Sequence, residues 1–386
     1  MRDASLASRR RRGQGTKGHE ARVNTRDIET PAVLIDAERL ARNIQRMAQA
    51  AQEMGVALRP HFKTHKTVEI ARLQLEGGAV GITCAKTTEA EVLVEAGVGD
   101  VFVANQVVGA RKVARLLELS RRAQVSVGID DTAQAEPLSE AFGRQGRRLP
   151  VLIEVDTGLG RCGLPPGEPV LALARRISDL PGLDLRGVFT HEGHVHSARS
   201  QAELEATARS AGRAVVETAE LLRGHGLPCD VVSVGTTPAA LVTPTVPGVT
   251  EVRPGSYVFY DRCHLRTWAA TEEDLALSVL ATVVSRPAPD RVVIDAGTKV
   301  LSSDHVGTRF DTFGLLRGHP DWSFVRANEE HGIIQVPVDA TVAVGDAVEV
   351  FPNHNCVVMN LAREVYLVRG GEVVARWPVA ARGCSR

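Results

Sequence analysis

The sequence predicts an α/β protein in which a (β/α)8 TIM-like barrel is joined to a second, mostly antiparallel β domain. Eight short β-like segments alternate with segments of helical periodicity, and 386 residues suffice for one barrel with an appended domain. After about Cys263 the helical periodicity nearly disappears, and short strands separated by turn sequences follow. An open, doubly wound sheet is the competing interpretation of the alternating region.

Composition divides the chain into three parts. Residues 1–26 are polar, basic and poor in apolar side chains, which is typical of a disordered tail. We expect the barrel to span residues 38–262. The β domain is expected to combine residues 27–37, which hold an early strand, with residues 263–386.

Charge and cysteine content narrow the class of protein. The chain has 46 basic and 46 acidic side chains, so its formal net charge is zero. This balance argues against nucleic acid or a membrane surface as a partner and favours a small neutral or zwitterionic substrate. No stretch reaches the roughly 18 apolar residues that a membrane helix needs. The six cysteines are scattered without a CxxC pair, which predicts a reducing, cytoplasmic compartment.

The individual elements follow from periodicity and capping. A helix is expected after Asp36, whose carboxylate can cap it, through Leu40, Ile44 and Met47 at helical spacing. Further helices are predicted at 88–96, 110–119, 170–177 and 202–222. The barrel strands are predicted at 56–58, 81–85, 101–104, 125–129, 151–155, 187–190, 231–234 and 251–252. The strands of the β domain are predicted at 275–286, 291–295, 332–336, 347–351, 364–368 and 372–377.

A cluster of cations follows the first barrel strand. Lys63 lies in sequence close to Arg59, His61, His65 and Lys66. Neighbouring cations and partial burial lower the pKa of a lysine, so that its neutral amine can attack a carbonyl to form a Schiff base. A solvated basic loop is the alternative for this cluster taken by itself.

The loops after the seventh and eighth barrel strands suit an anion. Barrels frequently bind phosphate at these two loops, where glycines expose backbone N–H groups and hydroxyls add donors. A helix is expected to begin at Pro238, directly after one of them. Together with a lysine after the first strand, the two loops predict a site for pyridoxal phosphate. Their candidate residues are Gly235, Thr236, Thr237, Gly255, Ser256 and Tyr257.

A histidine and a cysteine two positions apart form a candidate metal site in the β domain. On an extended chain, alternate residues point to the same side, so His354 and Cys356 can bind one ion. Imidazole and thiolate favour zinc over magnesium, with manganese or cobalt as possible substitutes. A core cysteine beside a surface histidine is the alternative.

Six motifs resemble one enzyme family. They read RPHFKTHK, VDTGLGRCG, FTHEGH, SVGTTP, RPGSY and PNHNC, and they begin at residues 59, 155, 189, 233, 253 and 352. The set is similar to the D-threonine aldolase and D-serine dehydratase branch of the alanine racemase-like, fold type III pyridoxal phosphate enzymes. The resemblance covers nearly all of residues 30–382.

The resemblance implies a role for individual residues. Lys63 is the lysine that bonds covalently to the cofactor, Arg161 lies near the cofactor ring, and His191 stands where alanine racemases place a histidine on the ring face. A divalent metal bound by His354 and Cys356 lies near the cofactor. The resemblance also implies a homodimer. The phosphate ligands implied are Gly235, Thr236, Gly255, Ser256 and Tyr257.

These expectations describe a lyase for D-β-hydroxy amino acids, with Lys63 and His354 as its catalytic residues. Retro-aldol cleavage to glycine and an aldehyde is the first hypothesis. Elimination to a keto acid and ammonia, as by a dehydratase of D-serine or D-hydroxyaspartate, is the alternative. A racemase is disfavoured because the chain has only three tyrosines to serve as its second base. Structural or substrate-orienting roles are expected for His65, His264, Asp295 and His331.

Overall fold

The computed structural model describes residues 24–305 and 310–386. These residues form one sheet of eight parallel strands and a second sheet of nine strands. Of the predicted tail, residues 1–23 lie outside the described residues, and the 3-10 helix Thr25–Asp27 begins at its end. None of the described helices is long and apolar enough to cross a membrane.

The eight parallel strands form the predicted barrel. After β1 (Ala32–Asp36), which belongs to the other sheet, they are β2 (Ala57–Leu58), β3 (Ile82–Cys84), β4 (Asp100–Val103), β5 (Gln124–Ile129), β6 (Leu149–Glu154), β7 (Leu183–Phe189), β8 (Val231–Val234) and β9 (Glu251–Val252). Their spatial order is β2-β9-β8-β7-β6-β5-β4-β3. The Val80 N–H donates to the Leu58 carbonyl at 2.9 Å and the Thr83 N–H to the Pro60 carbonyl at 2.8 Å, so the two edges of the sheet meet. All eight predicted strand positions are confirmed.

Helices cover the outside of the barrel. They are α1 (Ala37–Glu53), α2 (Val68–Glu76), α3 (Thr87–Glu95), α4 (Ala110–Leu119), α5 (Thr132–Gly143), α6 (Glu168–Ser178) and α7 (Gln201–Gly224). The Asp36 carboxylate accepts the first N–H groups of α1, as predicted. Leu40, Ile44 and Met47 form its buried face because they recur at helical spacing.

The prediction of a helix that begins at Pro238 is wrong. Turns follow β8, and the next regular element is a single 3-10 turn, Thr243–Thr245. Pro244 and Pro247 lack the N–H groups that a continuing α-helix would need, and Gly248 adopts a positive φ of 98°. This segment therefore remains a compact loop at the mouth of the barrel.

The second domain is the predicted, mostly antiparallel sheet. Its later strands are β10 (Leu277–Ala288), β11 (Arg291–Ile294), β12 (Gly314–Leu316), β13 (Ser323–Ala327), β14 (Gly332–Gln335), β15 (Ala347–Pro352), β16 (Glu364–Arg369) and β17 (Glu372–Pro378). The early strand β1 lies between β10 and β16, antiparallel to the first and parallel to the second. The sequence missed β12 and β13, which are short and carry little alternation.

The sequence also missed three short helices, α8 (Arg262–Arg266), α9 (Thr298–Leu301) and α10 (Asn355–Leu361). The last one corrects the extended conformation expected at residues 354–356. His354 is the N-cap of α10, with a φ of −143°, and Cys356 lies in its first turn. Val358 and Met359 are buried, and their packing accounts for a helix here.

An ion network lies inside the barrel. The Arg59 guanidinium contacts Glu251 at 2.7 Å and Asp100 at 2.6 Å; the Arg59 and Glu251 side chains are largely buried, whereas Asp100 is 31% exposed. We expect Arg59→Met to lower the free energy of unfolding by about 3 kcal/mol, because it leaves the buried Glu251 carboxylate without the guanidinium that pairs with it. Urea denaturation measures this change. Arg121→Met, which removes the exposed pair with Glu118, is the control and should change the value by less than about 1 kcal/mol.

Candidate active site

A cavity of about 420 Å³ opens where the barrel strands end. Its walls come from the loops after β2, β4, β6, β7, β8 and β9 and from the start of α10 in the second domain. Parallel strands present their carboxyl ends on one side of a barrel, so loops distant in sequence meet there. The predicted site residues that line this cavity are Lys63, Arg161, His191, Gly235, Thr236, Gly255, Ser256, His354 and Cys356.

Lys63 lies in the 3-10 helix Phe62–Thr64, directly after β2. The Nδ1 atom of His61 caps this helix by accepting the Lys63 N–H at 3.3 Å. Burial lowers the pKa of the Lys63 amine; Cys356 opposes this effect and Arg161 adds to it. The amine is therefore more available in its neutral, nucleophilic form than an exposed lysine would be.

Of the two causes that the sequence suggested for a lowered pKa of Lys63, burial is the larger and the cations adjacent in sequence are not the main influence. Arg59 is held in the barrel network, and the Lys66 amine lies 3.2 Å from the Glu89 carboxylate. His65 is buried with hydrogen bonds at both ring nitrogens. The cations adjacent in sequence are thus engaged elsewhere, and burial replaces them as the main influence on Lys63.

Two loops offer donor groups to the cavity. Within the described residues, the N–H and hydroxyl groups of Thr236 and the N–H of Ser256 have no hydrogen-bond partner. At Gly255 a Cβ atom would lie 2.6 Å from the Thr64 hydroxyl oxygen, so only glycine lets this loop pack against the lysine turn. Unpaired N–H and hydroxyl groups beside close backbone packing fit a phosphate group.

Two predicted phosphate ligands have other contacts. The Gly235 N–H donates to the Glu192 carboxylate at 3.1 Å. The Tyr257 side chain is fully buried outside the cavity lining, and its hydroxyl accepts from the Gln74 amide at 3.0 Å. Only the backbone N–H of Tyr257 is left for an anion, and Gly235 contributes mainly by having no side chain.

Gly255 offers a direct test of the loops. We expect Gly255→Ala to weaken pyridoxal phosphate binding by about tenfold or more, because the new methyl group must displace the Thr64 hydroxyl group and crowd His61, and these two residues flank Lys63 in its turn. Titration of the cofactor-free protein, followed by absorbance, measures the dissociation constant. Gly99→Ala is the control, since a Cβ there meets nothing within 4 Å. Equal affinities in the two variants would contradict a cofactor site at this loop.

His191 and Arg161 lie on the cavity wall. The His191 Nδ1–H donates to the Gly235 carbonyl at 2.6 Å, which leaves Nε2 without a proton in the neutral ring. Burial, with the nearby Lys63 and Arg161 charges, holds the pKa of His191 well below its usual value. Arg161 is half-exposed, 3.7 Å from Glu154, and burial raises the pKa of that carboxyl.

His354 and Cys356 lie close together despite the helical backbone. The cysteine pKa is lowered although burial acts against it, because the His354 imidazole stabilises the thiolate. One ring nitrogen of this imidazole is already engaged, since His354 Nδ1 lies 2.6 Å from Asp304 Oδ2. A carboxylate on one nitrogen of a histidine is the usual arrangement when the other nitrogen binds a metal. The donor set therefore fits a divalent, zinc-like ion.

A different group of three potential ligands occurs elsewhere in the described part of the chain. Asp130, Glu154 and Cys162 place one ligand atom each within 4.8 Å of the others. Their carboxylates already accept hydrogen bonds from the Gln106 amide and the Gly163 N–H. These contacts account for the group without an ion.

Sequence reasoning missed several acidic residues of the site. Asp304 and Asp261 contact His354 and Asn355 from other segments of the chain, so no local spacing indicated them. Glu192 directly follows His191 in the FTHEGH motif, but its contact with the Gly235 N–H could not be predicted from that position. Asp261 had one signal, since it follows the eighth strand within five residues of Ser256 and precedes His264.

The fold and the site define a class: a two-domain barrel protein with a lysine of lowered pKa at the barrel mouth and a histidine–cysteine pair contributed by the β domain. The sequence pattern of "Alanine racemase, N-terminal domain" matches residues 35–263, and that of "Putative serine dehydratase domain" matches residues 276–368. The chain therefore belongs to the alanine racemase N-terminal domain family, in the branch that contains D-threonine aldolases and D-serine dehydratases.

Similar proteins span nearly the whole chain. A D-threonine aldolase of an Arthrobacter species is 37% identical over 93% of this chain and 94% of its own. A D-threo-3-hydroxyaspartate dehydratase of Delftia sp. (strain HT23) is 38% identical over 85% of this chain and 91% of its own. The crystal structure of D-threonine aldolase from Filomicrobium marinum superposes with a TM-score of 0.89 at 35% identity, covering 95% of this chain and 100% of that one.

Two further solved structures bear on the histidine–cysteine pair. One is a histidine-to-alanine mutant of D-threo-3-hydroxyaspartate dehydratase, with a TM-score of 0.86 at 35% identity. The other is a cysteine-to-alanine mutant in the metal-free form, with a TM-score of 0.87 at 34% identity. The two mutated positions are separated by one residue, the same spacing as His354 and Cys356.

Proposed function

We propose that this protein is a pyridoxal phosphate- and metal-dependent lyase that cleaves D-β-hydroxy amino acids between Cα and Cβ, giving glycine and an aldehyde. One observation carries the proposal: a lysine of lowered pKa, two loops with unpaired donors and a histidine–cysteine pair line a single cavity. Relatives that act as D-threonine aldolase and as a hydroxyaspartate dehydratase support the same class.

The cavity residues fit the cofactor. Pyridoxal phosphate supplies an electron sink for charge that develops at the substrate's Cα. Lys63 would hold its aldehyde carbon, and Thr236, Gly255 and Ser256 would hold its phosphate. The cationic side chains around them, with Arg161 among them, also suit the carboxylate of an amino acid.

The histidine–cysteine pair would hold the metal. Imidazole and thiolate favour zinc, and manganese or cobalt are the alternatives. A divalent ion supplies Lewis-acid chemistry for the β-hydroxyl group. Asp304 fixes the His354 ring so that its Nε2 atom is left for the ion. The cysteine mutant of the related dehydratase, solved in the metal-free form, supports this role for Cys356.

Elimination to a keto acid and ammonia is the second candidate. It is favoured by the histidine and cysteine positions mutated in D-threo-3-hydroxyaspartate dehydratase, which have the spacing found here. The same cavity residues would serve both reactions, which differ in whether the Cα–Cβ or the Cβ–O bond breaks.

A racemase has little support among the described residues. Its second base would be a tyrosine, but Tyr257 and Tyr260 are buried and the Tyr366 hydroxyl donates to Glu364 within β16. The homodimer and the cytoplasmic location remain predictions from the resemblance and from composition.

A product assay tests the proposal. The purified, cofactor-loaded protein would be incubated with D-threonine, D-serine, D-threo-3-hydroxyaspartate and the L-isomers, before and after treatment with EDTA. We expect glycine and acetaldehyde from D-threonine, with loss of activity on chelation and recovery when metal is restored. Ammonia and a keto acid would establish the second candidate. An absence of turnover with every D-β-hydroxy substrate would contradict both.

A further inference from the structure

A buried carboxylate–imidazole pair lines the same cavity and has no part in the function proposed above. Asp261 is the N-cap of α8, and His264 lies within that helix. The His264 Nδ1 atom lies 2.6 Å from Asp261 Oδ1, and the two side chains are 5% and 0% exposed. An ionised carboxylate can only accept a hydrogen bond, so Nδ1 of His264 carries the proton.

The second nitrogen of His264 is available to a ligand. Among residues 24–305 and 310–386, no hydrogen bond is made to its Nε2 atom, although the side chain is buried and lines the cavity. In a neutral imidazole with a proton on Nδ1, Nε2 carries the lone pair and acts as a proton acceptor. The pair has the arrangement of a general base that is oriented by a carboxylate.

The Asp261 carboxylate is also connected to the histidine–cysteine pair. Asp261 Oδ2 accepts the Asn355 N–H at 2.9 Å, and Asn355 stands between His354 and Cys356. One buried group therefore positions both the imidazole of His264 and the turn that would hold the ion. His264, His354 and Cys356 all line the same cavity.

We propose that His264 is the general base that removes the proton of the substrate's β-hydroxyl group, with Asp261 as its positioning residue. The inference rests on the proposed function. The O–H bond breaks and its proton moves to Nε2 of His264, while the carbonyl of the aldehyde forms. The Cα–Cβ bond breaks with its electron pair left on Cα, which takes up one proton to give glycine. The His264 proton is then returned to solvent, so the protons balance.

His264→Asn tests the role with little disturbance of the structure. The asparagine amide N–H can still donate to Asp261 from the place of Nδ1, but the base at Nε2 is lost. We expect kcat for D-threonine cleavage to fall by about 10²–10⁴-fold with KM within about threefold of the wild-type value. Exchange of the glycine Cα hydrogen in D₂O, which involves no hydroxyl group, should persist. His225→Asn is the matched control, because His225 is exposed at the end of α7 and does not line the cavity.

His196 is the competing base, since it also lines the cavity, with Nδ1 lying 3.6 Å from the Cys263 sulfur. Normal cleavage by His264→Asn, with loss in His196→Asn, would overturn the proposal. Equal loss of cleavage and glycine exchange in His264→Asn would overturn it too. If the wild-type protein exchanges glycine but cleaves no substrate, it is the proposed function that fails.

A second readout needs no turnover. Nitrogen-15 NMR of the cofactor-free protein, labelled at histidine, distinguishes a ring protonated at Nδ1 from one protonated at Nε2. We expect the Nδ1–H form for the resonance that disappears in His264→Asn. A proton found on Nε2 of the neutral ring would overturn the assignment of a base.

Discussion

Replacing Lys63 with alanine is expected to lower turnover of the D-β-hydroxy substrate by on the order of 10⁴-fold or more. The amine of Lys63 is the group in the cavity whose lowered pKa makes it a nucleophile toward the cofactor aldehyde. Alanine leaves no group to form that bond. The visible absorbance of the bound cofactor should disappear together with the activity.

The matched control is Lys112→Ala, on helix α4 and outside the cavity lining. It should retain both the absorbance and the activity. Borohydride reduction followed by peptide mass spectrometry would locate the attachment. Modification of a lysine other than Lys63 would contradict this role for Lys63, as would an alanine variant with wild-type absorbance and turnover.

Disruption of the histidine–cysteine pair is expected to have the next largest effect on turnover. Cys356→Ala should remove the bound ion and lower turnover by about 10³-fold. This fold-change corresponds to the loss of about 4 kcal/mol of transition-state stabilisation by the ion. The reason is that a thiolate is the stronger of the two ligands and the histidine alone holds a divalent ion weakly. Metal analysis of the dialysed protein and the product assay together measure the effect.

Cys162→Ala is the control for this substitution. Cys162 is an exposed cysteine in the group with Asp130 and Glu154, which is the other cluster of potential ligands in the described residues. We expect this variant to keep its metal and activity. Loss of the ion from Cys162→Ala, with retention in Cys356→Ala, would move the metal site to that group.

Strands and helices that are determined by residues close together in the chain were predictable from the sequence. The barrel strands are short apolar runs between helical segments, and Asp36 caps α1 through its own carboxylate, so periodicity and spacing sufficed for both. The extended conformation at residues 354–356 was wrong because burial of Val358 and Met359 favours a helix. The spacing of His354 and Cys356 in the sequence gives no information about how the residues after them pack.

The residues predicted for the site line one cavity, with the exception of Tyr257, but their contacts could not be predicted from the sequence. The motifs selected Lys63, and the structure places it beside the loops of Thr236 and Ser256. The partners that set the pKa values come from distant segments, such as Asp304 with His354. Such pairs depend on how two domains pack, and a single sequence contains no record of that packing.

The most direct measurement is a crystal structure of the protein with pyridoxal phosphate and its metal, using anomalous scattering at the metal's absorption edge. We expect density joined to the Lys63 amine and an anomalous peak between His354 Nε2 and Cys356 Sγ, in one cavity. A peak at Asp130, Glu154 and Cys162, or a cofactor bound away from Lys63, would contradict the claim that these groups act together on one substrate.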